Sequence, residues 1–112
     1  MSLAEYFETG PTHERPVVEA VLRHVEGLGP VHVEPVSVGV FLKHVGKFAE
    51  LRPMHRWVAL SFALPRPVRH RTITRKVVAW HGRYWHVANL ARAEDFDEAL
   101  AGYLTEAYLL AA

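Results

Sequence analysis

The chain has 112 residues, 50% of them hydrophobic, with no cysteine and a formal net charge of +1. That length supports one domain with its own core, and the lack of cysteine excludes a disulfide framework, a thiolate metal site and a cysteine nucleophile. The opening MSLAEYFETG has neither the basic segment nor the apolar run of a signal peptide, and no stretch reaches the ~18 apolar residues of a membrane span. The expectation is a soluble, cytoplasmic protein without membrane attachment.

In chain order, Ser2 followed by Glu5 forms a capping-box pattern for a short helical arm over residues 1–10, ended by Gly10. Val18, Val21, Leu22, Val25 and Leu28 then recur at helical spacing, and Gly27, Gly29 and Pro30 close a first amphipathic helix, expected over roughly residues 13 to 28. From Val31 to about Leu90 the period changes to two. Val36, Val38, Val40 and Leu42 alternate with Ser37, Gly39, Phe41 and Lys43, and Val58, Leu60, Phe62 and Leu64 alternate with Trp57, Ala59, Ser61 and Ala63. Short interruptions at Gly46, Pro53, Pro65 with Pro67, and Gly82 predict an antiparallel meander of five or six strands.

In AWHGRYWHVANL, residues 79 to 90, Gly82 marks a tight turn. Strand alternation puts Trp80 and Trp85 on one face and His86 on the other, beside Tyr84, Ala88 and Leu90. The histidines here do not make a zinc site, which needs three or four ligands, and no acidic residue lies nearby to complete one. No metal and no cofactor is expected.

Phe96, Ala99, Leu100, Tyr103, Leu104, Ala107 and Tyr108 form a final helical stripe. Glu94, Asp95, Asp97 and Glu98 crowd its start, where acids suit the positive end of the helix dipole better than they suggest a paired-carboxylate site. No repeat or linker divides residues 1–112, so a single domain is expected. The fold class is α+β, a meander sheet with an N-terminal and a C-terminal helix packed on one face. The other face would carry Ser37, Gly39, Phe41, Ala59, Ser61 and Ala63, a small-residue surface suited to a partner, a pocket or a homodimer contact.

The run VGVFLKHVGKFAELRP, with Lys47, Phe48 and Arg52, then WHV at residues 85 to 87, and DFDEAL followed by EAY, resemble a family of small bacterial domains of unknown function, family 5655. The likeness covers roughly residues 17 to 108. It implies a compact α+β module with no established activity, cofactor or catalytic residue. The family pattern would place a serine-like cap before the last helix, where this chain has Ala91 and Ala93.

Charge is unevenly laid out: residues 1 to 34 sum to −4, residues 35 to 92 to +10, and residues 93 to 112 to −5. Lys43, His44, Lys47, Arg52, His55 and Arg56 would gather around one hairpin, and Arg66, Arg69, His70, Arg71, Arg75 and Lys76 crowd PRPVRHRTITRK. The preferred reading is a non-catalytic binding or interaction module for an anionic small molecule or an acidic protein segment. Its candidate ligand-binding residues are Lys43, Lys47, Arg52, Arg56, Trp57 and His86. A nucleic-acid-binding role ranks second, since the total charge is low and no nucleic-acid motif is present. An enzyme using His86 ranks third: the basic region offers Ser37, Ser61, Thr72 and Thr74 as hydroxyls but no GxSxG, P-loop or HExxH spacing, so catalytic residues stay unassigned. Basic residues on edge strands also discourage aggregation without binding anything.

Overall fold

The computed structural model describes residues 1–111. Helix α1 spans Leu3–Thr9 and α2 spans Glu14–Glu26; six strands follow, β1 His32–Val36, β2 Gly39–Lys43, β3 Lys47–Pro53, β4 Val58–Leu64, β5 Val78–Trp80 and β6 Arg83–Leu90, and then α3, Glu98–Leu110. All strand pairs are antiparallel, in the order β1-β2-β3-β4-β6-β5. The first four strands run as a meander; β6 lies against β4, and β5 is the outer edge.

Why the elements form is visible in their ends. The Ser2 hydroxyl accepts the N–H of Glu5 at 3.1 Å while the Glu5 carboxylate accepts that of Ser2 at 3.2 Å, closing the capping box of α1. At α3 the cap is Asp97, whose carboxylate accepts the Leu100 N–H at 3.0 Å. The helix therefore starts later than the acidic cluster suggested: Ala93–Asp95 form a separate short 3-10 turn, and the cap missing at Ala91 and Ala93 is supplied after it.

One side of the sheet is dry. Val40, Leu42, Leu51, Val58, Leu60, Phe62, Leu64, Ala88 and Leu90 are fully buried there against Val17, Val18, Val21 and Val25 of α2 and Leu100 and Leu104 of α3. Removing that much aliphatic surface from water is the main stabilising contribution, about 1.5 to 3 kcal/mol for each large side chain. Two polar ties fix the helices to each other and to the sheet entry. His24 Nε2 meets the Thr105 hydroxyl at 2.8 Å between α2 and α3, and the Tyr108 hydroxyl donates to the Pro30 carbonyl at 2.9 Å.

The first hairpin differs from the alternation read in sequence. The chain reverses between Val36 and Gly39, so Ser37 and Val38 form the turn and Val38 is 53% exposed instead of facing the core. Nothing in VSVG announces that reversal: Gly comes after the turn, and both valines favour strand.

Between β2 and β3 the register slips by one residue, with Leu42 opposite Ala49 and Lys43 opposite Lys47. The extra residue is Phe48. A bulge of this kind turns two neighbouring side chains to the same side. Phe48 thus joins the core, its ring at 87° to that of Tyr108, and Lys47 is left on the opposite face.

Candidate functional site

The other side of the sheet has no helix packed across it, although the last turn of α3 reaches its Lys47–Arg83 end. From register it presents Glu34 of β1, Phe41 and Lys43 of β2, Lys47, Glu50 and Arg52 of β3, the strip Ala59, Ser61 and Ala63 of β4, and Arg83, Trp85, Val87 and Asn89 of β6. Gly39, Phe41, Ala59, Ser61 and Ala63 lie where the sequence placed them, and Ser37 is in the turn.

At one end of this face a cation is held between two rings. Lys47 Nζ stands 4.7 Å from the Phe41 ring centroid and 5.9 Å from that of Trp85, within the range where ring quadrupoles attract a cation. Phe41 comes from β2, beside the bulge, and Trp85 from β6, two strands away across β4; the bulge turns Lys47 to the face that both rings share. Beside this stack lies a cavity of about 160 Å³, walled by Lys47, Ala63, Arg83, Trp85 and the last turn of α3. Small Ala63 leaves the space that a larger β4 residue would fill.

Much of the positive charge on the face is already partnered. Lys43 Nζ donates to Glu34 at 2.7 Å, which holds the Glu34 carboxyl below its ordinary range. Lys47 and Arg52 both reach Glu50, at 3.8 and 3.2 Å. The basic loop is likewise committed: Arg66 pairs with Glu106, Arg71 with Asp95 at 3.1 Å, and His70 with Asp97 at 2.9 Å. Five of the lysines and arginines counted in sequence are therefore ion-paired, and with His70 two of them tie the 65–77 segment to α3 and the short turn before it. Among the described residues Arg56, Arg69, Arg75, Lys76 and Arg83 make no such pair.

The six candidate ligand-binding residues do not form one site. Lys43 and Lys47 share one end of the open face. Arg52 is five residues along β3 from Lys47, roughly 17 Å at strand rise, and Arg56 and Trp57 lie exposed in the turn at that far end. The expected gathering around one hairpin is thus two groups at opposite ends of a strand. His44 leaves both, stacking on Tyr108 at 4.0 Å on the helix side. His86 is on the dry side of the sheet, fully buried. Its Nε2 accepts the Val68 N–H at 3.0 Å, and burial pushes its proton affinity below the ordinary histidine value. A neutral imidazole enclosed in this way fixes the chain after β4 and is out of reach of an anion on the open face.

Trp80 pairs with Arg83 and Val78 with Trp85, so both tryptophans face the open side. His81 at φ 48° and Gly82 at φ 74° form the two-residue turn between them, the left-handed pair that a tight hairpin requires.

One arrangement with catalytic geometry escaped the sequence. His70 Nδ1 accepts from the Thr72 hydroxyl at 2.8 Å and from the Thr72 N–H at 3.2 Å, which leaves Nε2–H to donate to Asp97. Hydroxyl, imidazole and carboxylate stand in line as in a nucleophilic triad. Thr72, however, is 6% exposed, and its carbonyl is taken by the Asn89 N–H at 3.0 Å. A β-branched hydroxyl packed so closely has no room for a substrate, and the three residues act as a clasp. The H-x-T spacing carries no signal of that; the partner aspartate is 25 residues beyond Thr72.

Among the described residues no group of three or more histidine, aspartate or glutamate residues could hold a metal ion, and no helix is long and apolar enough to cross a membrane. No curated protein and no solved structure matches the chain. The model of one family does, that of the Domain of unknown function (DUF5655), over residues 3–111. The match includes α1 as well as the sheet and both longer helices, and by it this chain belongs to the DUF5655 family.

Proposed function

We propose that the domain is a cytoplasmic, non-catalytic interaction module that receives a carboxylate of an acidic protein segment on its open sheet face. The observation that carries this reading is the cavity of about 160 Å³ where Lys47, Arg83 and Trp85 converge beside Ala63. Two cations with fork and point-charge chemistry suit a carboxylate. Trp85 and Phe41 provide an apolar wall, and the strip Ala59, Ser61, Ala63 leads away from it as a shallow floor. Lys47 and Arg83 also complement the negative end of the α3 dipole, which is the purely structural alternative.

Titration of the protein with hexaglutamate, with inorganic phosphate and with a single-stranded oligonucleotide, at low and at moderate salt, separates these readings. Amide and indole NMR shifts report the site. Saturable movement of the Trp85 indole with hexaglutamate, lost in Arg83→Ala at unchanged melting temperature, supports the module. Binding of the oligonucleotide alone, steeply weakened by salt, replaces it with the nucleic-acid reading. A lowered melting temperature without any ligand shift leaves the dipole role as the whole explanation and overturns the proposal.

A further inference from the structure

A second cavity, of about 330 Å³, lies on the helix side of the molecule, between α1, the turn into α2, the β1–β2 turn and the end of β3. Its walls include Tyr6, Gly10, Pro11, Glu14, Ser37 and Pro53. Glu14 opens α2 and has no exposed surface. Both of its carboxyl oxygens and the Tyr6 hydroxyl are buried with no partner in full hydrogen-bonding geometry, the Tyr6 hydroxyl being a donor close beside the carboxyl. Gly10 provides the room for this carboxyl, since a Cβ there would stand 2.6 Å from Glu14 Oε2.

A buried carboxyl with no donor in full hydrogen-bonding geometry is costly, because desolvation is not repaid by hydrogen bonds. In a chain with 13 lysines and arginines, several of which reach across the fold to other acids, none is placed here. Apart from the Tyr6, Thr9 and Ser37 hydroxyls, the side chains that wall the cavity therefore bring acceptors and no cation. An anion would meet a carboxylate; a neutral alcohol would bring one donor to at least three acceptor atoms. An ammonium brings three donors and the opposite charge. The volume is at the lower end of small-molecule sites, ~300 Å³, and Pro11 and Pro53 supply apolar wall for a short alkyl chain.

We propose that Glu14 and Tyr6 form the floor of a binding site for a primary ammonium group, carried on a small alkyl amine or on a lysine side chain. Burial raises the Glu14 carboxyl above its ordinary range, opposed by Tyr6 and by the neighbouring His13. Burial, with Glu14 beside it, raises Tyr6 as well. The groups facing Glu14 are thus Tyr6 from α1 and His13 from the turn before α2; Met1 also borders the cavity. An ammonium that ionises Glu14 on binding releases its proton, so affinity rises with pH through the raised carboxyl range.

The test is calorimetric titration of the full chain with n-butylammonium and with Nα-acetyl-lysine amide, against butyrate, in two buffers of different ionisation enthalpy. The expected result is saturable binding of at least one amine, none of butyrate, and a heat that depends on buffer through proton release. Butylammonium alone marks a free amine as the ligand, and the lysine amide alone marks a partner's side chain. Glu14→Gln is expected to weaken binding at least tenfold. Gly10→Ala, which crowds the carboxyl while keeping it, is a second variant should the first fold poorly. Absence of saturable amine binding, or equal binding by wild type and both variants, overturns the site.

Discussion

The imidazole of His86 lies flat on the ring of Phe62, centroids 5.1 Å apart and planes 7° from parallel. The two residues face each other across β4 and β6. Because burial depresses the folded proton affinity of His86, its linkage has a definite sign. The unfolded chain protonates first as pH falls, near the ordinary histidine value of ~6.5. Stability is complete above that value and declines as pH drops through it toward the lower folded value. Urea unfolding at pH 7.5 and 5.5 should show this loss. His86→Leu should flatten part of the slope while costing about 1 to 3 kcal/mol at the higher pH, since the Val68 N–H loses its acceptor.

A second decline is expected in acid. Asp97 is held below the ordinary carboxylate range by the Leu100 N–H and by His70. Burial alone would raise Asp95, and the Ala91 and Arg92 N–H groups with the Arg71 guanidinium outweigh it. For depressed carboxyls the contribution is present above the unfolded value, about 3.9, and is lost as pH falls through the folded values. Asp97→Ala should lower stability at neutral pH by roughly 1 kcal/mol, as a lost helix cap, and reduce the acid sensitivity. Thermal melts from pH 7 to pH 2.5 check both parts.

Core and surface substitutions should separate cleanly. Leu100 is fully buried between α3 and the sheet, so Leu100→Ala is expected to cost about 2 to 5 kcal/mol through the cavity it leaves. Arg52→Ala and Arg56→Ala sit on exposed positions and should stay within roughly 0.5 kcal/mol. Equal destabilisation of all three in denaturant titrations would assign the arginines a structural role.

The β5–β6 turn is open to improvement. His81 holds a left-handed conformation, at φ 48°, that asparagine adopts more readily. His81→Asn should raise the melting temperature by an amount equivalent to a few tenths of a kcal/mol, in the range of such backbone effects, ~0.4 to 1. A fall would show that the contact of His81 with Trp80, centroids 4.4 Å apart, matters more than the turn.

What could be read from the sequence followed from strong periodicity. The stripe from Phe96 to Tyr108 is helix from Glu98 onward, and Val58, Leu60, Phe62 and Leu64 all face the core. The failures come from pairing. Alternation from Val36 to Leu42 looks like one strand, because a turn made of Ser37 and Val38 leaves no compositional trace. The basic segment around His70 reads as a free surface until its acids arrive from far along the chain, Asp95 from the 3-10 turn, Asp97 from the cap of α3 and Glu106 from α3 itself. The candidate site is harder still: Lys47 and Arg83 are 36 positions apart, and only the order β3-β4-β6 brings them to one end of the sheet. Glu14 sits in a helical first turn, where an acid is ordinary, and its burial depends on the glycine four residues before it.

The single inserted residue at Phe48 acts as a sorting device for length variation. Substituting within Gly46–Ala49 changes one side chain, but removing one residue would restore plain alternation from Ala49 backwards. Were Gly46 the residue lost, Phe48 would move opposite Lys43 and turn out to water; were it Phe48, the ring against Tyr108 would itself be gone. The segment should therefore accept many exchanges of residue and very few changes in count, the opposite of what a surface turn ordinarily tolerates.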